Sequence, residues 1–142
     1  GRFSVLKNVV IPSNITSIGG RCFRDCTSLQ TLVIPSSVTS IPNLSSRESF
    51  ITGCSALTRI DVLSDNISLA EWQFCGATSL TAITFSAVTP PTASSQTFSL
   101  YPTTDNAYNI YVPDNSVNDY KAAENCSSFA TRIKPISELT TE

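Results

Sequence analysis

The sequence predicts one right-handed solenoid, mainly β, in which parallel strands stack in register and a short helix closes the C-terminal end. Apolar residues recur with a base period of 23 residues, and within each recurrence two of them stand two positions apart. Hydrophobic residues make up 41% of the 142 positions, whereas charged residues make up only 14%. Recurrence at this period is typical of solenoids, because one such unit cannot bury its apolar face without a neighbour.

The repeat boundaries follow from a leucine that begins each unit, and the whole chain, residues 1–142, is interpreted as a single domain. The predicted repeats and the C-terminal strand and cap are residues 6–28, 29–56, 57–79, 80–106 and 107–142. The second and fourth repeats exceed the base period, and their additional residues fall in the polar stretches 43–47 and 93–96.

Four apolar columns define the register of the repeats. The first contains Leu6, Leu29, Leu57, Leu80 and Ala107, and the second contains Val9, Leu32, Ile60, Ile83 and Ile110. The third contains Ile11, Ile34, Val62, Phe85 and Val112, and the fourth contains Phe23, Phe50, Phe74 and Phe98. The second and third columns point to the same face of a strand, because they stand two residues apart. We therefore expect five parallel strands, centred on residues 9–11, 32–34, 60–62, 83–85 and 110–112, with the phenylalanines buried and in contact in sequence order. The alternative, a β-sandwich of short strands, does not account for four coincident columns.

The C-terminal segment has the pattern of a cap. Ser116 followed by Asp119 predicts the start of a helix, which should end near Asn125. Phe129, Ile133 and Ile136 are expected to anchor the segment on the last repeat, because a terminal repeat must cover its open apolar face. The N-terminus shows no comparable cap, so we expect the chain to be a C-terminal fragment of a longer protein.

The first repeat resembles the BspA-type leucine-rich repeat of bacterial surface proteins, including those of Bacteroides-like gut and oral anaerobes. It matches that pattern at Leu6, Val9, Ile11, Pro12, Ile15, Ile18, Phe23, Cys26 and Leu29. The third repeat departs from it, with Leu63 in place of proline and Ala77 in place of cysteine. The resemblance implies an α/β leucine-rich-repeat solenoid, an extracellular or cell-surface location, and contact with host matrix proteins or other cells.

Composition argues against several classes of function. The chain has no histidine, which removes the usual general base and the commonest neutral metal ligand. We therefore expect no enzymatic activity, catalytic residue, metal or cofactor. A formal net charge of −2 gives no reason to expect nucleic-acid binding, and no apolar run is long enough to span a membrane.

The five cysteines are expected to be free, buried thiols that act as small hydrophobic residues. They are Cys22, Cys26, Cys54, Cys75 and Cys126. Cys26 and Cys54 occupy equivalent points of neighbouring coils, so a bridge between them is the alternative.

The residues that flank the core columns should form an exposed sheet face, the surface through which we expect a protein partner to bind. One outward column contains Asn8, Thr31, Arg59, Ala82 and Asn109, and the next contains Val10, Val33, Asp61, Thr84 and Tyr111. The predicted partner-binding residues are Val10, Val33, Arg59, Asp61, Thr84, Tyr101 and Tyr111.

Three functions remain open at the level of sequence. The first is a non-catalytic recognition or adhesion module for a protein, the second is a structural spacer of a larger surface protein, and the third is a glycan-binding module. Trp72 is expected to be buried, although it could instead stack on a sugar, and Tyr101 and Tyr108 in a polar loop could do the same.

Overall fold

The computed structural model describes residues 7–18, 23–41, 49–99 and 108–139, and in them six strands form one parallel sheet. The strands are β1 (Asn8–Val10), β2 (Thr31–Ile34), β3 (Arg59–Val62), β4 (Ala82–Phe85), β5 (Asn109–Val112) and β6 (Ile133–Pro135). They lie in the sheet in the order in which they occur in the chain. A mainly β repeat solenoid has this topology, because each coil returns the chain to the position beside its previous strand.

The predicted register is confirmed for all five predicted strands. The second apolar column pairs from coil to coil, with Val9 opposite Leu32, Leu32 opposite Ile60, Ile60 opposite Ile83, and Ile83 opposite Ile110. The sixth strand, β6, was not predicted, although Ile133 continues the same column opposite Ile110. This strand is only three residues long and ends in a proline, so it lacks the two-residue apolar spacing that identified the others.

The phenylalanine column is buried, as the sequence predicts. Phe23, Phe50, Phe74 and Phe98 are each at most 3% exposed. The Phe50 and Phe74 ring centroids are 6.3 Å apart in an edge-on arrangement, and the Phe74 and Phe98 rings are stacked at 5.7 Å. The rings therefore pack in sequence order from the second coil to the fourth.

Phe50 does not occupy the same backbone position in its coil as the other members of the phenylalanine column. Phe23 and Phe74 stand six residues before the next leucine, whereas Phe50 stands seven before Leu57. The Cys54 amide donates to the Ile51 carbonyl at 3.0 Å, just as the Cys26 amide donates to the Phe23 carbonyl at 3.2 Å. Ile51 is thus the backbone equivalent of Phe23. The longer second repeat accommodates both Phe50 and Ile51 in the core.

The C-terminal cap contains the short helix α1 (Val117–Ala122), which follows a 3-10 turn at Asp114–Ser116. The prediction that it begins near Ser116 is confirmed, but it ends at Ala122, before the expected Asn125. Ser116 makes no side-chain capping bond, and its buried hydroxyl has no hydrogen-bond partner among the described residues. Asn125 has φ +67°, a left-handed backbone conformation that a continued helix cannot adopt.

Tyr120 joins the cap to the solenoid. Its hydroxyl donates to the Ala87 carbonyl at 2.6 Å, and its ring centroid lies 6.0 Å from that of Phe85. Two further 3-10 turns, Ser127–Arg132 and Ile136–Glu138, flank β6. The capping residues therefore cover the apolar end of the fourth and fifth coils.

Candidate functional site

One face of the sheet carries a continuous row of side chains, with one residue from each strand. The strand register aligns these residues, which we call the outer row: Val10, Val33, Asp61, Thr84, Tyr111 and Lys134. Because neighbouring strands lie about 4.8 Å apart, the row spans about 24 Å. A row of this length on a rigid sheet can contact a partner at several points at once.

The β1 end of the outer row is apolar. Val10 is 83% exposed on the edge strand, and Val33 lies half-buried beside it. Leu63 adds a further exposed apolar side chain to this face, because it stands two positions after Asp61 and its amide continues the pairing of β2 and β3 by donating to the Ile34 carbonyl at 2.9 Å. Leu63 is 41% exposed. Ile136, which was expected to anchor the cap, is 38% exposed and lies at the other edge of the sheet, in the 3-10 turn after β6.

Sequence reasoning did not include Leu63 in this face. The repeat pattern identifies Leu63 only as a departure from its proline. The signal was present for Leu63, because alternation along β3 places it on the same side as Arg59 and Asp61.

The centre of the face holds a hydrogen-bonded polar group. The Nε of Arg59 donates to Oδ1 of Asp61 at 2.9 Å, and the hydroxyl of Thr84 donates to the same oxygen at 2.6 Å. The Arg59 and Asp61 side chains remain 34% and 24% exposed. An ion pair this exposed adds about 1 kcal/mol or less to stability, so its main effect is to fix the two side chains on the face.

The expectation that Thr84 and Ala82 are exposed on this face is wrong. Thr84 is only 5% exposed and Ala82 only 4%. Both side chains are small and lie on β4. The two neighbouring strands carry longer side chains beside them, which are Arg59 and Asp61 on β3 and Asn109 and Tyr111 on β5. The structure thus gives Thr84 a supporting position, in which it holds Asp61 in place.

Tyr111 supplies the aromatic part of the face. It is half-buried, its hydroxyl accepts a 3.5 Å bond from Nδ2 of Asn109, and its register partner on β6 is Lys134. Tyr101, the other predicted aromatic contact, lies outside the described residues.

The proposal that Tyr108 belongs to an accessible loop is wrong. Tyr108 is 3% exposed and lies immediately before β5, where the Arg132 guanidinium covers its ring at 4.4 Å. Trp72, which was expected to be buried, is half-buried and has φ +56°. Its position two residues before the buried Phe74 did not place it in the core, because its left-handed backbone breaks strand alternation.

The described cysteines lie in the interior, away from the sheet face. Cys26, Cys54, Cys75 and Cys126 are buried free thiols, and Cys22 lies outside the described residues. The Cys54 sulfur lies 2.9 Å from the Phe23 carbonyl of the preceding coil. Burial raises the pKa of Cys54 from 9.0 to about 12, so the thiol remains protonated and unreactive at neutral pH.

Two further features bear on chemistry and location. Within the described residues, no three histidine, cysteine, aspartate or glutamate side chains are grouped closely enough to hold a metal ion. In the same part of the chain, no helix has the length and apolar character needed to cross a membrane.

The stacked coils and their open sheet face define a leucine-rich-repeat solenoid. The family described as BspA type leucine rich repeat region matches residues 2–130 in six copies, so the chain belongs to this family. Comparison with curated protein sequences gives no match. The family consists of repeat-based interaction modules that are typically surface-associated and generally non-enzymatic.

Proposed function

We propose that this chain is a non-catalytic recognition module of the bacterial cell surface or extracellular space that binds a protein partner through the outer row and its neighbours. The observation that carries the proposal is the composition of the row. It runs from an exposed apolar end at Val10 and Val33, across the Arg59–Asp61 pair, to Tyr111.

This composition suits a protein partner more than a small ligand. Arginine and tyrosine are enriched among residues that dominate protein interfaces, and apolar side chains supply the area that is removed from water. The face is a row across six strands and not a concave cavity of the kind that encloses a small molecule.

The polar centre supports specificity. Asp61 accepts from both Arg59 and Thr84, so the charged groups are held in position before a partner arrives. Pre-positioned side chains lose little conformational entropy on binding, which favours affinity. Host matrix or cell-surface proteins are the partner class that we propose.

The test is binding of the purified chain to a panel of immobilised extracellular-matrix proteins, measured by biolayer interferometry. The double variant Val33→Glu with Tyr111→Ala should fold with an unchanged circular dichroism spectrum and lose at least tenfold in affinity. The matched control is Val88→Glu, which adds the same charge at a valine that is 69% exposed and lies outside the strands. The control should bind like the wild type.

Other outcomes would replace the proposal. If the double variant binds the partner as tightly as the wild type does, the binding site lies elsewhere on the solenoid. Absence of binding to every member of the panel would favour a structural spacer. Binding to a glycan array that is lost in Trp72→Ala would favour a glycan-binding module.

A further inference from the structure

A groove lies between the cap and the fourth coil. One wall is the segment 90–93, which follows β4, and the other is α1 with the two residues after it, which follow β5. The groove has a volume of about 390 Å³, and each residue that lines it is exposed or half-buried, so it opens to solvent. Pockets for small ligands have volumes of about 300–1,000 Å³, so this groove suits a few side chains and not a folded domain.

Hydrogen bonds hold the two walls together. The Tyr120 hydroxyl donates to the Ala87 carbonyl at 2.6 Å, and the Asn125 side-chain amide donates to the Ala93 carbonyl at 2.8 Å. Both bonds join the cap to the fourth coil, one from within α1 and one from just after it. The groove is therefore formed before a ligand arrives, and binding does not have to order it.

The lining combines apolar surface with hydrogen-bond acceptors. Five of the eight lining residues are proline or alanine. Pro90 and Pro91 have no backbone N–H, so this part of the wall cannot donate a hydrogen bond. Asp119 and Glu124 are exposed carboxylates, which only accept, and Thr92 supplies the one hydroxyl of the lining. A ligand that matches these groups must donate hydrogen bonds and carry an apolar part.

The two carboxylates of the groove have no cation opposite them. No described lysine or arginine forms an ion pair with Asp119 or Glu124, and Lys121 of the same helix does not line the groove. A lysine side chain fits both parts of the lining. Its ammonium group has three donors and a positive charge, and its four-carbon stem can lie along apolar surface.

We propose that this groove binds an extended, lysine-bearing segment of a partner protein. The lysine stems lie on the proline and alanine surface, and the ammonium groups donate to Asp119 and Glu124. Alternate residues of an extended chain point to one side, so two lysines separated by one residue present both charges to the groove. The site does not depend on the outer row, because no residue of that row lines it.

Fluorescence anisotropy of a labelled probe peptide tests the site on the purified chain. The probe is a short alanine peptide with lysine at two alternate positions, and the matched probe has glutamate at both. The lysine probe should bind at about 20 mM salt and bind severalfold more weakly at about 200 mM, because salt screens exposed charges. The glutamate probe should not bind.

The double variant Asp119→Asn with Glu124→Gln removes both charges with little change in size. It should weaken binding of the lysine probe by about five- to tenfold, as expected for two exposed ion pairs. The matched control is Asp114→Asn with Glu138→Gln, which changes the net charge equally at two exposed residues outside the groove. Asparagine keeps the oxygen that accepts from the Ser137 amide, so the control should fold and bind like the wild type.

A second variant, Ala122→Phe, tests the groove apart from its charge. Ala122 is exposed and lines the groove, so a ring there covers the apolar surface while both carboxylates remain. This variant should keep the wild-type circular dichroism spectrum and lose most of its affinity for the lysine probe.

Four results would overturn the site. They are equal binding of the two probes, absence of binding by the lysine probe, an equal loss of affinity in the control pair, and unchanged binding in Ala122→Phe. Spermine is the competitor that distinguishes a free polyamine from a protein segment. If spermine binds more tightly than the lysine probe and displaces it, the ligand is a polyamine and the proposed segment is wrong.

Discussion

Truncation of Phe74 to alanine tests the packing that holds the coils together. Phe74 is 2% exposed and lies between two other rings, edge-on to Phe50 at 6.3 Å and stacked on Phe98 at 5.7 Å. A phenylalanine-to-alanine change in a core costs about 3–5 kcal/mol, because transfer energy is lost and a cavity remains. Each aromatic pair adds about 0.5–1.5 kcal/mol, so we expect Phe74→Ala near the upper end of that range.

Urea unfolding at 25 °C, followed by circular dichroism, measures this loss. Val88→Ala is the control, because Val88 is 69% exposed and its truncation should change stability by about 0.5 kcal/mol or less. Phe98→Ala should also be costly, since Phe98 contacts Phe85 and Phe129 as well. A loss below about 1 kcal/mol for Phe74→Ala would refute the continuous phenylalanine column.

Four further predictions concern the turn, the thiols and the cap. Gly53→Ala should cost about 1–3 kcal/mol in urea unfolding, because Gly53 has φ +87° and a Cβ there would lie 2.0 Å from Oδ1 of Asp25; an unchanged midpoint would contradict this turn geometry. Burial raises the pKa of the Cys54 thiol from 9.0 to about 12, so the stability that the protonated thiol contributes is complete below pH 9 and is lost as the pH rises toward 12. Between pH 8 and 11, the free energy of unfolding of Cys54→Ala should therefore fall less than that of the wild type. Non-reducing mass spectrometry should show five thiols, and a deficit of about 2 Da per bridge would disprove this. Tyr120→Phe should cost about 1–2 kcal/mol through the lost bond to Ala87, and a neutral result would exclude that bond in solution.

The sheet was predictable because its information is local and repeated. Strands β2 to β5 each contain two core residues at a spacing of two, Val9 and Ile11 repeat that spacing at β1, and five coincident copies establish the register. Strand β6 gave no such signal, because Ile133 is followed by Lys134 and Pro135 and only its pairing with β5 makes it a strand.

The candidate face was only partly predictable. Alternation correctly assigned Val10, Val33 and Tyr111 to one side of the sheet. Exposure, however, depends on the size of the side chains on adjacent strands, and this is why Thr84 is covered although it points outward. Tyr108 was misplaced for a related reason, since Arg132, 24 residues away in the chain, holds it in the core.

Side-chain footprinting with hydroxyl radicals tests the central claim most directly. The chain would be oxidised alone and in complex with the matrix protein that it binds most tightly, and the modified residues would be read by mass spectrometry. We expect protection of Leu63, Tyr111 and Val10 on the sheet face, with unchanged oxidation of Val88. Protection of Val88 with no change at Leu63 and Tyr111 would show that the partner binds away from the sheet.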